Sequence, residues 1–363
     1  MRNIRKLSAA SKRRTTLTSE LSSIDLHNEA LVIDSHNDTI VGHIRRGNVS
    51  IADKETPNRV RHDGTIAYMR GPLDSTASQM DVQINLPKMR QGGVDAAFFA
   101  IDVTRAWKNH LSYALDAIGF FKAEVETHAD EIIIAKTAED VRKAKAESKL
   151  AAILVIENSD GVERSLNILK SLHHLGVRSI GLTHDPTSWA AAGNAETDSG
   201  GGLTRFGVQL VKEMNRLGML VDVSHISEHG FWNVLEIAER PVIASHSNCK
   251  ALCGHPRNLT DEQIKRIAEN GGVIGATFVT WFIDDNTPSF SRYIDHIDHI
   301  VNLVGDDHVG IGSDFDGGGE QLRDATEFPK ITKALLERGY SPASVRKILG
   351  ENHLRVFAEA CPG

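Results

Sequence analysis

The sequence predicts an α/β fold, a closed (β/α)8 TIM-like barrel with its chemistry at the C-terminal rim of the strands. Three observations predict it. Eight apolar runs of strand length recur along the chain, amphipathic segments of helix length separate them, and six of the eight runs finish at a titratable side chain. Strands that are apolar almost throughout are buried on both faces, as in a parallel sheet covered by helices, and eight repeated βα units suggest a barrel rather than an open sheet.

The elements follow in order. The run LVID (31–34) leads into His36 and Asp38, and a long connection, 41–80, separates it from VDAAFFAI (94–101). AAILVIE (151–157) ends on Glu157, and GVERSLNILKSLHHLG (161–176) has helical periodicity closed by a glycine. SIGLTH (179–184) ends on His184 and opens a second long connection, 185–204. The spacing then predicts a helix over 204–218, the strand GMLVDVSH (218–225) ending on His225, and a helix over 227–240. PVIASH (241–246) ends on His246, a helix is predicted over 259–271, and GGVIGATF (271–278) and HVGIGSD (308–314) complete the strands, the last on Asp314. The segment 341–360 predicts a final helix capping the barrel. Both long connections follow strands, so they fall on the catalytic rim and read as functional loops.

Composition narrows the function. A 363-residue chain that is 40% hydrophobic and 25% charged can bury a large core. Its net charge of -7 argues against nucleic acid, which is bound by clustered Lys and Arg. Six basic residues among the first fourteen mark residues 1–20 as a solvated tail, and 21–363 read as a single catalytic domain. No run of about 18 apolar residues occurs, so no membrane span is expected. The three cysteines, Cys249, Cys253 and Cys361, are too few for a disulfide framework, and a cytoplasmic location is expected.

The strand ends carry the chemistry. In a barrel they converge on one rim, whatever their separation in sequence. His36 and Asp38, two apart on an extended strand, would point the same way and could grip one ion. Each of these residues alone is better explained as a polar strand exit, a helix cap or a structural histidine; the set changes that balance. Asp38, Glu157 and Asp314 would crowd at a partly desolvated rim, which requires a positive charge among them. The basic groups on offer are imidazoles and one arginine, Arg257, so a divalent metal compensates better, and the N/O donor set suits zinc or a related ion. Five or more ligands exceed one open catalytic site, whereas two ions sharing a carboxylate use them economically and suit hydrolysis by a bridging hydroxide.

The segments DSHNDT, QINLPKMRQGGVDAAFFA, VIENSDG, GLTHD, GLTRFGVQLVKEMNRLGMLVDVSH, PVIASHSNCKALCGHPRNLTDEQ and HVGIGSDFDG resemble, in order, the membrane dipeptidase family, peptidase family M19, of the amidohydrolase superfamily. The resemblance runs from about residue 28 to residue 358. It implies a zinc-dependent dipeptidase with two Zn2+ per chain, one held by His36 and Asp38, the other by His225 and His246, with Glu157 bridging. It further implies that His184 contacts the scissile carbonyl or its oxyanion, that Arg257 binds the terminal carboxylate, and that Asp314 shuttles the proton to the leaving amine. The substrate is expected to be a small peptide, with a D-residue tolerated at its C-terminus, and a homodimer is a further expectation. No signal peptide or C-terminal anchor signal is evident, so membrane attachment is not expected and the chain looks more like the microbial members. An N-acyl-amino-acid deacylase or lactonase of the same superfamily is the alternative; a non-catalytic scaffold ranks low, since no ligand is missing.

Other motifs read as structural. His296 and His299 in DHIDH (295–299) are expected on the solvated face of a helix, and Cys249 and Cys253 as reduced thiols. SGGGLT (199–204) and DGGGE (316–320) lack the Lys and Ser/Thr of a phosphate loop. Trp189 and Trp281 either line the pocket or pack. Asp34 is left with support of His36 as its expected role.

Overall fold

In the computed structural model, which describes residues 22–57, 80–105 and 109–363, nine strands form one sheet: β1 (Ile33–Asn37), β2 (Ala96–Asp102), β3 (Ile132–Ile134), β4 (Leu150–Glu157), β5 (Val177–Gly181), β6 (Leu220–Asp222), β7 (Ile243–Ala244), β8 (Val273–Ala276) and β9 (Val309–Ile311). All pairings are parallel, and β2 pairs both with β1 and, from Ala96↔Ala151 to Asp102↔Glu157, with β4. Eight strands therefore close into the expected barrel. The ninth, β3, borders the first residues of β4 from outside that ring. Its three residues are too short a run to carry a period, which is why the sequence did not announce it.

Alternate residues of β2 and β4 separate into two apolar clusters. Ala96, Phe98, Ala100, Ala151, Ile153 and Val155 join Ile33, Leu220, Ile243 and Val273 in the barrel interior. Ala97, Phe99, Ile101, Ala152, Leu154 and Ile156 belong to the larger cluster shared with the surrounding helices. A strand period of two makes Asp102 and Glu157 the next members of the interior row. The barrel is thus apolar along its length and acidic at its C-terminal mouth.

The opposite end is closed by the C-terminal helix, which runs from Pro342–Arg346 through a π turn, Lys347–Glu351, into Asn352–Ala360. Leu354, Val356, Phe357 and Ala360 enter the interior cluster, and the Phe357 ring meets Phe98 edge-on at 5.7 Å. Three predicted helices form as Arg205–Leu217, Glu228–Ile237 and Asp261–Glu269, capped by the side chains of Thr204, Ser227 and Thr260. The helix predicted over 161–176 begins only at Leu166, because Glu163 and Arg164 take φ of 47° and 59° after a 3-10 turn.

The first rim connection departs from expectation in one respect. The connection predicted over 41–80 lies partly in a helix, Thr39–Arg45, and its residues 58–79 lie outside the described residues, as does the basic tail 1–20. The 185–204 connection is held in place: Ala191 bridges Leu203, Gly193 bridges Ile226, and Asn194–Ser199 forms a 3-10 turn. His296 is buried, not solvated. Its Nδ1 accepts from Cys249 N at 3.1 Å and its Nε2 donates to Ile283 O at 2.9 Å, whereas His299 pairs with Asp261 at 2.8 Å. Cys249, Cys253 and Cys361 are all free and buried. No helix among the described residues is long and apolar enough to cross a membrane.

Candidate metal centre

The predicted site residues meet at the mouth, though most stand just past a strand rather than on its last residue. Glu157 ends β4 and His36 lies within β1, but His184, His225, His246 and Asp314 follow β5, β6, β7 and β9. His225 and Asp314 adopt φ of 65° and 58°, left-handed backbone in the turns that follow β6 and β9. Asp38 departs from the extended alternation assumed for it. It has φ -103° and ψ 22° at the start of the helix Thr39–Arg45, yet its Oδ2 still comes to 3.6 Å from His36 Nε2.

Glu157 is the centre of the cluster. Its Oε2 stands 3.8 Å from His36 Nε2, and its Oε1 stands 3.1 Å from His225 Nε2 and 3.7 Å from His246 Nε2. Three groups of donor atoms lie within 4.8 Å of one another: His36, Glu157 and His246; Glu157, His184 and His225; His36, Asp38 and Asp314. Asp314 is overlaid by the glycines of DGGGE. Gly317, Gly318 and Gly319 all donate backbone N–H to Asp314 O, and a Cβ on Gly317 would stand 2.2 Å from Asp38 Oδ2.

The electrostatics call for a cation. Burial pushes the Glu157 carboxyl well above the usual range, and Asp38, Asp102 and Asp314 add to it. Burial alone would lower His36, but Glu157, the contact with Asp38 and the charge of Asp314 push it up to about 10. His225 and His246 behave oppositely: burial, with Arg257 and neighbouring imidazoles, holds both far below the usual histidine range and hence neutral. Their Nε2 atoms nevertheless face each other at 2.8 Å. His225 Nδ1 spends its proton on Asp185 Oδ1 at 2.8 Å, and His246 Nδ1 lies 2.8 Å from Ser245 Oγ. With the proton of each ring on Nδ1, two lone pairs aimed at one point repel unless a cation lies between them. His36 Nε2 and Asp38 Oδ1 are also buried without a hydrogen-bond partner. The residues therefore fit a metal.

Beside the cluster opens a cavity of about 350 Å³, lined among others by Asp38, Glu157, His184, Arg257, Trp281 and Asp314. Trp281 lines it as well as being half exposed, whereas Trp189 lies outside it under the Arg164 guanidinium, 5.2 Å away. Arg257 is buried; its Nη2 donates to His246 O at 3.2 Å and its Nε makes no hydrogen bond. His184 stacks on His225 with ring centroids 4.1 Å apart.

Sequence reasoning missed Asp185. It binds His225, and it lies 3.8 Å from Arg257 and 4.0 Å from His184. Burial would raise its carboxyl, but the hydrogen bond from His225 and the nearby Arg257 guanidinium hold it well below the usual range. The signal was its place directly after His184 in GLTHD. Asp34 lies outside the cluster: its oxygens accept from Ser313 N and Ser313 Oγ, both at 2.7 Å, so it braces the β9 end against β1 and does not touch the His36 ring.

A family model of membrane dipeptidase (peptidase family M19) matches residues 22–361. Dipeptidase verJ of Clonostachys rogersoniana is 35% identical over 318 residues, 82% of this chain and 82% of that protein. The crystal structure of dipeptidase AC, a metallopeptidase of family M19, superposes with a TM-score of 0.78 at 28% identity, over 92% of this chain and 99% of that one. A metallopeptidase from Rhodobacter sphaeroides, liganded with a phosphinate mimic of the dipeptide L-Ala-D-Ala, superposes with a TM-score of 0.78 at 27% identity, over 91% and 99% of the two chains.

Proposed function

Since the chain belongs to the membrane dipeptidase family, peptidase family M19, and is a metal-dependent dipeptidase with the fold of that family, we propose that it is a two-zinc enzyme that cleaves dipeptides bearing a free C-terminal carboxylate. The observation that carries this reading is the division of one carboxylate: Glu157 Oε2 faces His36, and Oε1 faces His225 and His246. His36 and Asp38 would hold one ion, His225 and His246 the other, and Glu157 would bridge. When bound, such ions acidify water toward a pKa of about 7 and polarise the scissile carbonyl.

The protein side chains do the rest. Arg257 takes the substrate carboxylate, since its Nε is an open buried donor and its fork matches a carboxylate. His184, held against the His225 ring, donates to the carbonyl oxygen as charge develops there. Asp314 accepts the proton of the attacking water and returns it to the leaving amine nitrogen. The 350 Å³ cavity supports a substrate of dipeptide size, and the ligand of the Rhodobacter relative supports a D-residue at the C-terminal position.

A panel of L,L- and L,D-dipeptides, N-acyl-amino acids and lactones, run with zinc measured on the same preparation, tests the reading. Two zinc per chain, dipeptide cleavage lost on chelation and restored by zinc, and an Arg257→Met variant with KM raised for carboxylate-bearing substrates are expected. Cleavage of acyl-amino acids or lactones in preference would assign the deacylase or lactonase reaction instead.

A further inference from the structure

A single buried hydroxyl touches histidines from both halves of the cluster. Ser245 Oγ lies 2.8 Å from His246 Nδ1 and 3.4 Å from His36 Nδ1, and it donates its own proton to Asp222 Oδ2. Ser245 and Asp222 are each 3% exposed, so bulk water does not compete for these bonds. Asp222 is fixed in turn: its Oδ1 accepts from the backbone of Ser224 at 2.9 Å and of Ser245 at 3.1 Å. The other hydroxyl in reach, Ser224 Oγ at 3.5 Å, already accepts from His246 N and is a weaker acceptor than a carboxylate.

Counting protons settles the tautomers. A serine hydroxyl has one proton and two lone pairs, and an ionised carboxylate only accepts. With its proton committed to Asp222, Ser245 Oγ can only accept from the two rings, so His36 and His246 each carry a proton on Nδ1. That leaves Nε2 of each ring as the atom free to take a metal once one displaces the proton on His36, and the two Nε2 atoms stand beside opposite oxygens of Glu157. Histidine ligands are commonly fixed in this way, one ring nitrogen by a hydrogen bond and the other by the metal. What is distinctive here is that one acceptor serves a ligand of each proposed ion.

We propose that Ser245, oriented by Asp222, is a positioning residue that sets the metal-binding tautomer of His36 and His246 together and thereby ties the two metal subsites to each other. The inference rests on the two-zinc reading above. Zinc is the probe: wild-type, Ser245→Ala, Ser245→Thr and Asp222→Asn proteins are zinc-loaded and titrated with a competing chelator, with zinc measured per chain, and each metal-free protein is melted. Ser245→Ala is expected to weaken both equivalents by about ten- to a hundredfold while the metal-free melting point stays close to wild type. Ser245→Thr, which restores the hydroxyl, is expected to recover both, and Asp222→Asn to weaken both. Weakening of one equivalent alone, unchanged affinity for both, or a Ser245→Thr protein as weak as Ser245→Ala overturns the proposal. Should Ser245→Ala fail to fold, Asp222→Asn decides alone: loss at both equivalents supports the tie, loss at one or neither overturns it. A wild-type protein that binds a single zinc sinks the two-zinc reading itself, an outcome visible before any variant is made.

Discussion

Asp314 and Asn differ by little more than the ability to take a proton, so replacing one by the other separates catalysis from metal binding. If Asp314 is the proton shuttle, Asp314→Asn lowers kcat by about 10²- to 10⁴-fold with both zinc ions retained. Loss of zinc on the same substitution would make it a ligand, which its place in one donor group with His36 and Asp38 permits. Kinetics and metal analysis on one preparation decide the point. At this scale the sequence is informative about residues whose type alone suggests a donor: His36, Asp38, Glu157, His225 and His246 stand out by residue type at the ends of apolar runs. Asp185, Asp222 and Ser245 do not. Their roles lie in which atom meets which, Asp185 Oδ1 on His225 Nδ1 and Ser245 Oγ between two rings, and a serine or an aspartate near a strand end says nothing about its partner.

Among elements, the turn after β9 is the most constrained. Gly317 lies so close over the acids that a methyl group there would stand 2.2 Å from Asp38 Oδ2 and 2.3 Å from Asp314 Oδ1, a contact no real atom pair sustains. Both obstacles are the ends of side chains, so the acids swing away before the backbone breaks. Gly317→Ala is therefore expected to cost the zinc held by His36 and Asp38, halving the zinc content from two toward one, while the metal-free melting point changes little. Full retention of zinc with normal kcat would show that Asp38 has another home. The use of DGGGE could not be read from sequence, because closeness to Asp38, far away in the chain, exists only after the barrel closes. The strands were legible for the converse reason. Eight continuous apolar runs reflect burial on two faces, a local property, whereas the positive φ of His225 and Asp314 belongs to the turns past β6 and β9 that carry the site.

The whole molecule buries histidines far from the metal cluster, and these make its stability depend on pH. Burial lowers His43, His296 and His353 to about 4 each, partly offset by hydrogen bonds to or from Val49, Ile283 and Ile311. An unfolded histidine titrates near 6.5. Between pH 6.5 and 4 the unfolded chain takes up protons that the fold refuses, so stability present above 6.5 is lost as pH falls, and below 4 these groups add no further change. Asp34 acts in the opposite sense: burial raises it to about 6, so the fold gains relative stability as pH falls from 6 toward 3.8. Of these four groups, three histidines displaced by more than two units outweigh one aspartate displaced by about as much, and their combined slope is a loss toward acid. The metal cluster holds further displaced groups, so the histidine contribution is isolated by difference. His353 ties the C-terminal helix to β9 through Ile311 O at 3.1 Å. A His353→Asn variant is expected to be less stable at pH 7, yet its stability should fall with acid less steeply than wild type, by about 1.4 kcal/mol per pH unit in the window from 6.5 to 4, the contribution of one proton. Urea unfolding of both proteins across that window measures the two slopes. Parallel slopes would mean that His353 is already free to protonate in the fold.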